Sequence, residues 1–186
     1  MKIVVGLGNP GEKYTNTRHN SGFLAIDDFL KSLNADINPA CTKFGSLLVE
    51  ASLGSEKLFF VKPNTFMNNS GTAVAEIINF YKTDPTKNLL VVHDDKDLPL
   101  GTIRATYSSS AAGHNGVQDI IDKLATQNFH RVRIGVESRE SRGEMPTEAF
   151  VLQNFSDDEF MKLQKEVFPK INLEIEKFIG NLKLEI

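Results

Sequence analysis

Hydrophobic and polar positions along this chain form two kinds of pattern. Short apolar or alternating runs, typical of β-strands, occur at residues 2–8, 46–54, 57–63, 88–95, 101–107 and 130–138. Apolar residues spaced three and four apart, typical of helices, occur at residues 21–33, 70–81 and 115–125, and again after residue 156. Because the two patterns interleave, the sequence predicts an α/β fold. We expect a three-layer αβα sandwich with a mixed, mostly parallel sheet and helices on both faces.

The last helical pattern carries two local signals. Ser156, followed three residues later by Glu159, predicts a capping box at the start of the helix. Pro169 lacks a backbone N–H, so it predicts that the helix kinks or restarts near that residue. No repeat or linker divides the chain, and its 186 residues favour a single domain over residues 1–186.

Composition narrows the class of protein. The chain is 40% hydrophobic and 24% charged, as ordinary globular proteins are. No apolar run approaches the ~18 residues of a membrane span, and the N-terminus lacks the features of a secretory signal. Cys41 is the single cysteine, which excludes an internal disulfide and a thiolate-rich metal site. We therefore expect a cytoplasmic protein that does not contact a membrane.

The charge of the chain bears on nucleic-acid binding. A formal net charge of −3 argues against a protein that coats nucleic acid without specificity. Arginines are nevertheless concentrated in one region, which holds Arg131, Arg133, Arg139 and Arg142. In the strand pattern at residues 130–138 the first two alternate with apolar residues. A local basic face therefore remains open.

Polar side chains follow several of the predicted strands. Asn9 and His19 follow the first strand, and Asn68 follows the third. Asp94 ends the fourth strand, and Asn115 begins a helix. Since ligands of such folds bind beyond the carboxyl ends of parallel strands, we expect Asn9, Asn68 and Asp94 at one edge of the sheet. One imidazole, one carboxylate and three carboxamides are groups suited to hydrolysis by water.

A histidine beside a carboxylate acts as a general base near neutral pH. Asp94 is the expected partner of His19, because the two residues that flank it in the strand point to the opposite face. Those two residues, His93 and Asp95, leave a metal-dependent hydrolase open as an alternative, although they lack a third ligand. We expect a reaction without a metal or a cofactor.

Some of these signals also have a purely structural interpretation. The GLGNPG stretch at residues 6–11 matches the glycine pattern of dinucleotide-binding proteins, but no apolar helical face follows it, so the match is misleading. Asn115 is also a suitable helix cap. Phe66 and Met67 belong either to the core or to an apolar floor for a base or a ribose.

Six blocks occur in a fixed order: VGLGNPGEKYTNTRHNSGF, KPNTFMNNSG, VVHDDKDLPLG, GHNGVQDII, NFHRVRIGV and AFVLQNFS. In these blocks the chain resembles the bacterial-type peptidyl-tRNA hydrolases over essentially its whole length. The resemblance implies a monomeric α/β enzyme of the carboxylic ester hydrolase class. Such an enzyme takes peptidyl-tRNA as its partner, cleaves the ester between the peptide and the terminal ribose, and so recycles the tRNA.

The resemblance also implies roles for single residues. His19 matches the family's base, Asp94 matches its supporting carboxylate, and Asn9 matches the residue that distinguishes a blocked peptidyl group from a free aminoacyl group. Positions that contact the substrate fall on Tyr14, Phe66, Asn68 and Asn115. Arg133 matches a position near the 5′ phosphate of the tRNA.

The chain departs from the family pattern in one stretch. Thr106 stands where the family has a lysine, and residues 108–112 read SSSAA where glycines are usual. Thr106 supplies no cation, and Glu137 places a negative charge where small residues are common. We expect these differences to affect tRNA affinity more than the chemistry.

Two hypotheses of different classes follow. In the first, His19 oriented by Asp94 deprotonates a water held partly by Asn115, and Asn68 stabilises the oxyanion. In the second, the protein is a catalytically inactive RNA-binding relative that acts as an RNA-processing factor. Such a relative is expected to alter the catalytic set, and here the set is intact.

Overall fold

The structure, a computed structural model, describes residues 1–33, 40–53, 55–141 and 145–180. Within them, seven strands form one sheet in the order β2-β3-β4-β1-β5-β7-β6. The strands are β1 (Lys2–Gly6), β2 (Cys41–Lys43), β3 (Ser46–Leu53), β4 (Glu56–Pro63), β5 (Leu89–Pro99), β6 (Ile103–Tyr107) and β7 (His130–Glu137).

The sheet is mixed and mostly parallel, as the sequence predicts. The central strands β4, β1, β5 and β7 pair in parallel. Strands β3 and β6 run antiparallel to β4 and β7, and β2 runs antiparallel to β3. Strand β2 therefore points the same way as the central four, and β3 and β6 point the other way. The carboxyl ends of the central strands meet at one edge, which is where such folds bind ligands.

Helices cover both faces of the sheet. They are α1 (Ser21–Ser32), α2 (Ser70–Tyr81), α3 (Pro85–Asn88), α4 (Asn115–Leu124), α5 (Thr147–Val151), α6 (Asp157–Lys162) and α7 (Phe168–Ile179). One core cluster joins Val4 to α1 and α7, and the other joins Ile3 and Val5 to α2 and α4. Because successive strand residues point to opposite faces, β1 is buried on both sides. The three-layer prediction is confirmed.

The start of α1 packs directly against the sheet. A Cβ atom at Gly22 would lie 2.3 Å from the carbonyl oxygen of Val92 and 2.4 Å from the backbone nitrogen of Leu7. Only glycine permits this approach of a helix to the ends of β1 and β5. The close contact brings the turn that precedes α1, and with it His19, next to the end of β5.

Some element boundaries differ from the sequence prediction. Strand β2 was not predicted, because its three residues are exposed and carry no apolar pattern. Strand β5 continues past Asp95 to Pro99 through an irregularity in its pairing with β7. Strand β1 ends at Gly6 rather than Gly8. The expected boundaries of α2 are confirmed.

The two signals in the last helical pattern are confirmed. Ser156 and Glu159 form the capping box at the start of α6. A π-helical stretch at Leu163–Val167 follows, and α7 restarts with Pro169 in its first turn, where a missing N–H costs least. None of the helices in the described part of the chain has the length and apolar character needed to cross a membrane. The assignment of residues 1–186 to one domain stays a prediction.

Candidate active site

A cavity of about 610 Å³ opens at the carboxyl ends of the central strands. The expected convergence of Asn9, Asn68 and Asp94 at one edge is observed, because all three line this cavity. The lining also includes His19, Phe66, Met67, His93, Asp95, Ser110, Ala112, His114, Asn115, Arg133, Thr147, Glu148, Val151 and Leu152.

His19 and Asp94 meet as the sequence predicts. His19 lies in a single 3-10 turn, Arg18–Asn20, just before α1. Its Nδ1 lies 2.8 Å from Oδ1 of Asp94, whose side chain is 3% exposed. With Asp94 ionised, Nδ1 donates and Nε2 is left unprotonated. Nε2 is therefore the nitrogen that is available as a base.

A second imidazole, which the sequence analysis did not single out, contacts the same oxygen. Nε2 of His114 lies 2.9 Å from Oδ1 of Asp94. Nδ1 of His114 accepts a hydrogen bond of 3.3 Å from the backbone N–H of Val117 and so caps α4. This contact places the proton of His114 on Nε2, where it is donated to Asp94. The interpretation of Asn115 as the helix cap is wrong, because His114 holds that position and Asn115 lines the cavity.

Burial and charge act against each other in this group. Burial alone raises the pKa of Asp94, but the charges and hydrogen bonds of His19 and His114 outweigh it and hold that pKa far below its usual value. Burial lowers the pKa of His19, but the Asp94 charge and hydrogen bond outweigh it and raise that pKa above 6.5. Burial and the neighbouring His114 lower the pKa of His93, so this third imidazole is neutral.

Asn9 is held in one orientation by three hydrogen bonds. Its Oδ1 accepts from the backbone N–H of Met67 at 2.8 Å, which ties the end of β1 to the loop after β4. Asn20 accepts from the backbone N–H of Asn9 and donates back to its carbonyl oxygen. Within the described residues the Asn9 NH2 group has no partner, so it remains a donor at the wall of the cavity.

The loop after β4 contributes Phe66, Met67 and Asn68. Met67 is buried and packs into the core, and a Cβ atom at Gly116 would lie 2.5 Å from its sulfur. Met67 is therefore both a core residue and part of the cavity floor. Phe66 is 59% exposed, so its interpretation as a core residue is wrong. Asn68 is also exposed. Both side chains are accessible to a ligand.

The serine-rich stretch at residues 108–112 forms one wall of the cavity. Arg131 is 1% exposed and donates to the Ser110 carbonyl oxygen at 2.8 Å and to the Ser109 hydroxyl at 3.2 Å. Ser108 and Ala112 adopt φ values of 51° and 49°, a region that favours glycine. Arg131 thus holds in place a loop whose residues pay a conformational cost relative to glycine.

The described arginines of the region that left a basic face open are buried or paired within the protein. Arg131 is buried under the loop at residues 108–112, and Arg133 forms a 2.5 Å ion pair with Asp95. Arg139 forms an ion pair with Glu137 and so offsets the negative charge that departs from the family pattern. Arg142 lies outside the described residues. Arg133 lines the cavity, so it is the arginine of this cluster that a bound anion reaches.

Tyr14 lies in the turn Glu12–Tyr14 and is not among the residues that line the cavity. The Nζ atom of Lys13 sits 4.8 Å from the centre of its ring. The contact of Tyr14 with substrate stays a prediction.

The metal hypothesis built on His93 and Asp95 is not supported by their contacts. Nδ1 of His93 is bonded to the backbone carbonyl oxygen of Asp94, and Asp95 pairs with Arg133. His19, Asp94 and His114 do place three atoms of ligand type within 4.8 Å. Nδ1 of His19 and Nε2 of His114 each donate to the Asp94 carboxylate, so we assign these three residues to a hydrogen-bonded group.

Comparison with known proteins places the chain in a family. The family model described as peptidyl-tRNA hydrolase matches residues 3–184. The chain belongs to the peptidyl-tRNA hydrolase family. It is 45% identical over 181 residues to peptidyl-tRNA hydrolase of Mycoplasma capricolum, with 97% of this chain and 94% of that protein covered. It is 44% identical over 172 residues to the enzyme of the same name from Fusobacterium nucleatum, with 92% and 86% covered.

A solved structure supports the fold of the family. The chain superposes on crystalline peptidyl-tRNA hydrolase from Acinetobacter baumannii with a TM-score of 0.82 at 28% identity, covering 99% of this chain and 92% of that one. The resemblance inferred from the six sequence blocks is therefore confirmed, and so is the α/β fold it implied.

Two residues that contact the site, His114 and Asn20, were not predicted from the sequence. His114 stands directly before Asn115 in the GHNG block, and Asn20 directly follows His19. A histidine at a helix start is usually a surface residue, so only the distance to Asp94 reveals its part in the site. Asn20 was detectable as a polar residue in the same turn, but its contact with Asn9 depends on the chain folding back.

Proposed function

We propose that this protein hydrolyses the ester bond between the peptide and the tRNA in peptidyl-tRNA, and so returns the tRNA for reuse. The observation that carries the proposal is the buried Asp94 carboxylate held between two imidazoles at the base of an open cavity. Membership of the peptidyl-tRNA hydrolase family supports the substrate class.

The proposed mechanism is general-base hydrolysis. Nε2 of His19 takes a proton from a water molecule held partly by the Asn115 carboxamide, and the resulting hydroxide adds to the ester carbonyl carbon. Asp94 stabilises the imidazolium that forms. Asn68 and nearby backbone N–H groups donate to the oxyanion. When the intermediate collapses, the carbon–oxygen bond to the ribose breaks and the imidazolium gives its proton to the departing ribose oxygen, which leaves as a hydroxyl group.

The remaining site residues are assigned to recognition. We propose that the free NH2 group of Asn9 contacts the peptidyl group and that Phe66 and Met67 contact the terminal base or ribose. Tyr14 is proposed as a further contact at the entrance. Arg133 is proposed to release Asp95 and bind the 5′ phosphate of the tRNA. Such a phosphate contact makes tRNA binding sensitive to salt. We propose that the enzyme works in the cytoplasm as a monomer and needs no cofactor.

The test is release of a labelled peptide group from N-blocked aminoacyl-tRNA, with free aminoacyl-tRNA as the control. We expect rapid release from the blocked substrate and little from the free one. Tight tRNA binding without release would contradict the proposal and would match the inactive RNA-binding alternative. Loss of activity after treatment with a chelator, restored by a divalent metal, would match the metal-dependent alternative.

A further inference from the structure

The turn that carries His19 is paired with a distant part of the chain. The backbone N–H of Arg18 donates to the carbonyl oxygen of Gln153 at 3.0 Å, and the N–H of Phe155 donates to Asn16 at 3.0 Å. Thr17 and Asn154 form an isolated antiparallel bridge between these contacts. The segment at residues 16–18 is therefore attached to the stretch between α5 and α6.

The Arg18 side chain reinforces this pairing from inside the protein. Arg18 is 6% exposed. Its Nη2 lies 2.8 Å from each oxygen of Glu159, and its Nη1 donates to the Asn154 carbonyl oxygen at 2.7 Å. The guanidinium group also lies over the rings of Phe150 and Phe155, at 4.5 and 5.2 Å. A buried arginine held by a carboxylate, carbonyl oxygens and two aromatic faces has one well-defined position.

Glu159 connects this arginine to two further elements. Its carboxylate accepts from the backbone N–H of Ser156 in the capping box of α6 and from the hydroxyl of Ser138, just after β7. Burial raises the pKa of Glu159, but these hydrogen bonds and the Arg18 charge outweigh it and lower that pKa. The carboxylate is thus ionised and joins the turn before α1 to β7 and α6.

Helix α5 and Leu152, which directly precede Gln153 and Asn154, form a wall of the cavity. Thr147, Glu148, Val151 and Leu152 line the cavity from the side of α5. Arg18 is bonded to the residues that directly follow this wall, and it directly precedes His19 in the chain. The Arg18 and Glu159 side chains thus connect the turn of His19 to this stretch and, through it, to the wall of the cavity.

We propose that Arg18 and Glu159 together form a positioning device for His19, which holds the turn Arg18–Asn20 so that Nδ1 of His19 stays within hydrogen-bond distance of Asp94. This inference rests on the proposed function, in which His19 is the base. Arg18 touches no reacting atom, so it acts only through the position of its neighbour. A displacement of about 1 Å in a base lowers the rate by on the order of 10²-fold.

The groups that face the His19 ring decide how a displacement is detected. Asp94 lies within β5, just before its irregularity, and the centre of the His114 ring, from the start of α4, lies 5.0 Å from the centre of the His19 ring. Because Asp94 keeps the His19 imidazole charged to higher pH and burial does the reverse, a looser contact moves the titration of His19 downward. A loss of fold stability alone leaves the titration of the folded molecules unchanged.

The experiment compares Arg18→Lys and Glu159→Gln with the control Ser156→Ala. Arg18→Lys keeps the charge and loses the forked hydrogen bonds, and Glu159→Gln keeps the shape and loses the charge. Ser156→Ala removes the side-chain cap of α6 and leaves the contact between Arg18 and Glu159 in place. The readouts are kcat and KM for N-blocked aminoacyl-tRNA, and the titration of His19 by NMR of the four histidines.

We expect both test variants to lose about 10-fold to 10²-fold in kcat with little change in KM, and to titrate His19 at lower pH than the parent protein. Ser156→Ala should unfold at lower temperature with kcat and titration unchanged. If folded Arg18→Lys or Glu159→Gln keeps the parent titration and kcat, or if Ser156→Ala reproduces their effects, the inference is overturned. If Arg18→Lys does not fold, Glu159→Gln decides by the same readouts.

Failure of the inference is distinguishable from failure of the proposed function. If the parent protein releases no peptide from the blocked substrate, the proposed function is wrong. The NMR titration still tests the positioning of His19 in that case, because it requires no substrate.

Discussion

The floor and the rim of the cavity are held in opposite ways. The floor consists of Met67 and four polar residues, Asn9, His19, Asp94 and His114. The four polar side chains bond to one another or to the backbone. The rim consists of Phe66, Asn68 and Leu152, whose side chains are exposed. Among the described residues, none forms a side-chain hydrogen bond with Asn68. The floor is thus organised without a ligand, whereas the side chains of the rim are accessible for contacts with one.

This difference assigns different tasks to the two regions. Groups that are already oriented stabilise a transition state without further rearrangement, so changes to the floor act on kcat. Exposed groups that gain contacts on binding act on KM and on selectivity. The two regions are therefore distinguished by whether a substitution changes kcat or changes binding.

The largest effect is expected from His19→Ala. The substitution removes the base from the floor, so kcat should fall by about 10²–10⁴-fold with a smaller change in KM. Single-turnover peptide release measures this directly. The control is His130→Ala at the start of β7, on the opposite edge of the sheet, which should keep full activity. Near-full activity in the His19 variant would contradict the proposed role of His19 as the general base.

Asp94→Asn should lose most of the same activity and also change the pH dependence. In the proposed mechanism His19 acts as a base only when it is deprotonated, so we expect activity to rise with pH through its pKa, which is raised above 6.5 in the parent protein. Without the Asp94 charge only the lowering effect of burial remains, and the rise in activity should move to lower pH. The measurement is kcat/KM against pH. A rise that stays in place or moves upward would contradict the assignment.

Phe66→Ala tests the rim. Stacking of a base on an aromatic ring is worth about 1–3 kcal/mol, so KM should rise by about 5-fold to 150-fold while kcat stays near the parent value. Phe80→Ala is a matched control, because Phe80 on α2 is 60% exposed, as Phe66 is at 59%, and lies away from the cavity. Equal effects of the two substitutions would show that the rim has no specific contact with substrate.

The smallest effect is expected from Arg133→Ala. If one phosphate contact is lost, the salt dependence of tRNA binding should weaken by about one in log–log slope. Hydrolysis of a short minimal ester should be nearly unchanged. Asp95→Asn should have the opposite effect and steepen the salt dependence of tRNA binding. The substitution releases Arg133 from its 2.5 Å ion pair and makes the guanidinium group available to a phosphate. Parallel binding curves for parent and Arg133 variant would refute the phosphate contact.

Much of the fold was predictable because its signals are local. Apolar periodicity depends on neighbours within a few residues, and it located α2 at its observed boundaries and the central strands within a few residues. The rule that parallel strands share a carboxyl edge then brought Asn9, Asn68 and Asp94 together. The choice of Asp94 over His93 and Asp95 as the partner of His19 followed from strand alternation, and the contact is observed.

The missed features all depend on contacts between distant residues. Arg131 and Arg133 occupy equivalent positions of one alternating strand, yet Arg131 is buried under a loop and Arg133 faces the cavity. Their sequence pattern is the same, and only the loop packed above them makes them different. His114 likewise becomes part of the floor through a carboxylate 20 residues away.

The sequence by itself determined most of the order of elements, the family and the pairing of His19 with Asp94, because periodicity and motif spacing are written along the chain. The tertiary structure alone decided that a second imidazole shares that carboxylate, that Arg133 is paired with Asp95, and that Arg18 binds Glu159 at a separation of 141 residues. The physical reason is that burial and charge pairing arise from what packs around a group. No local pattern records which distant segment that is.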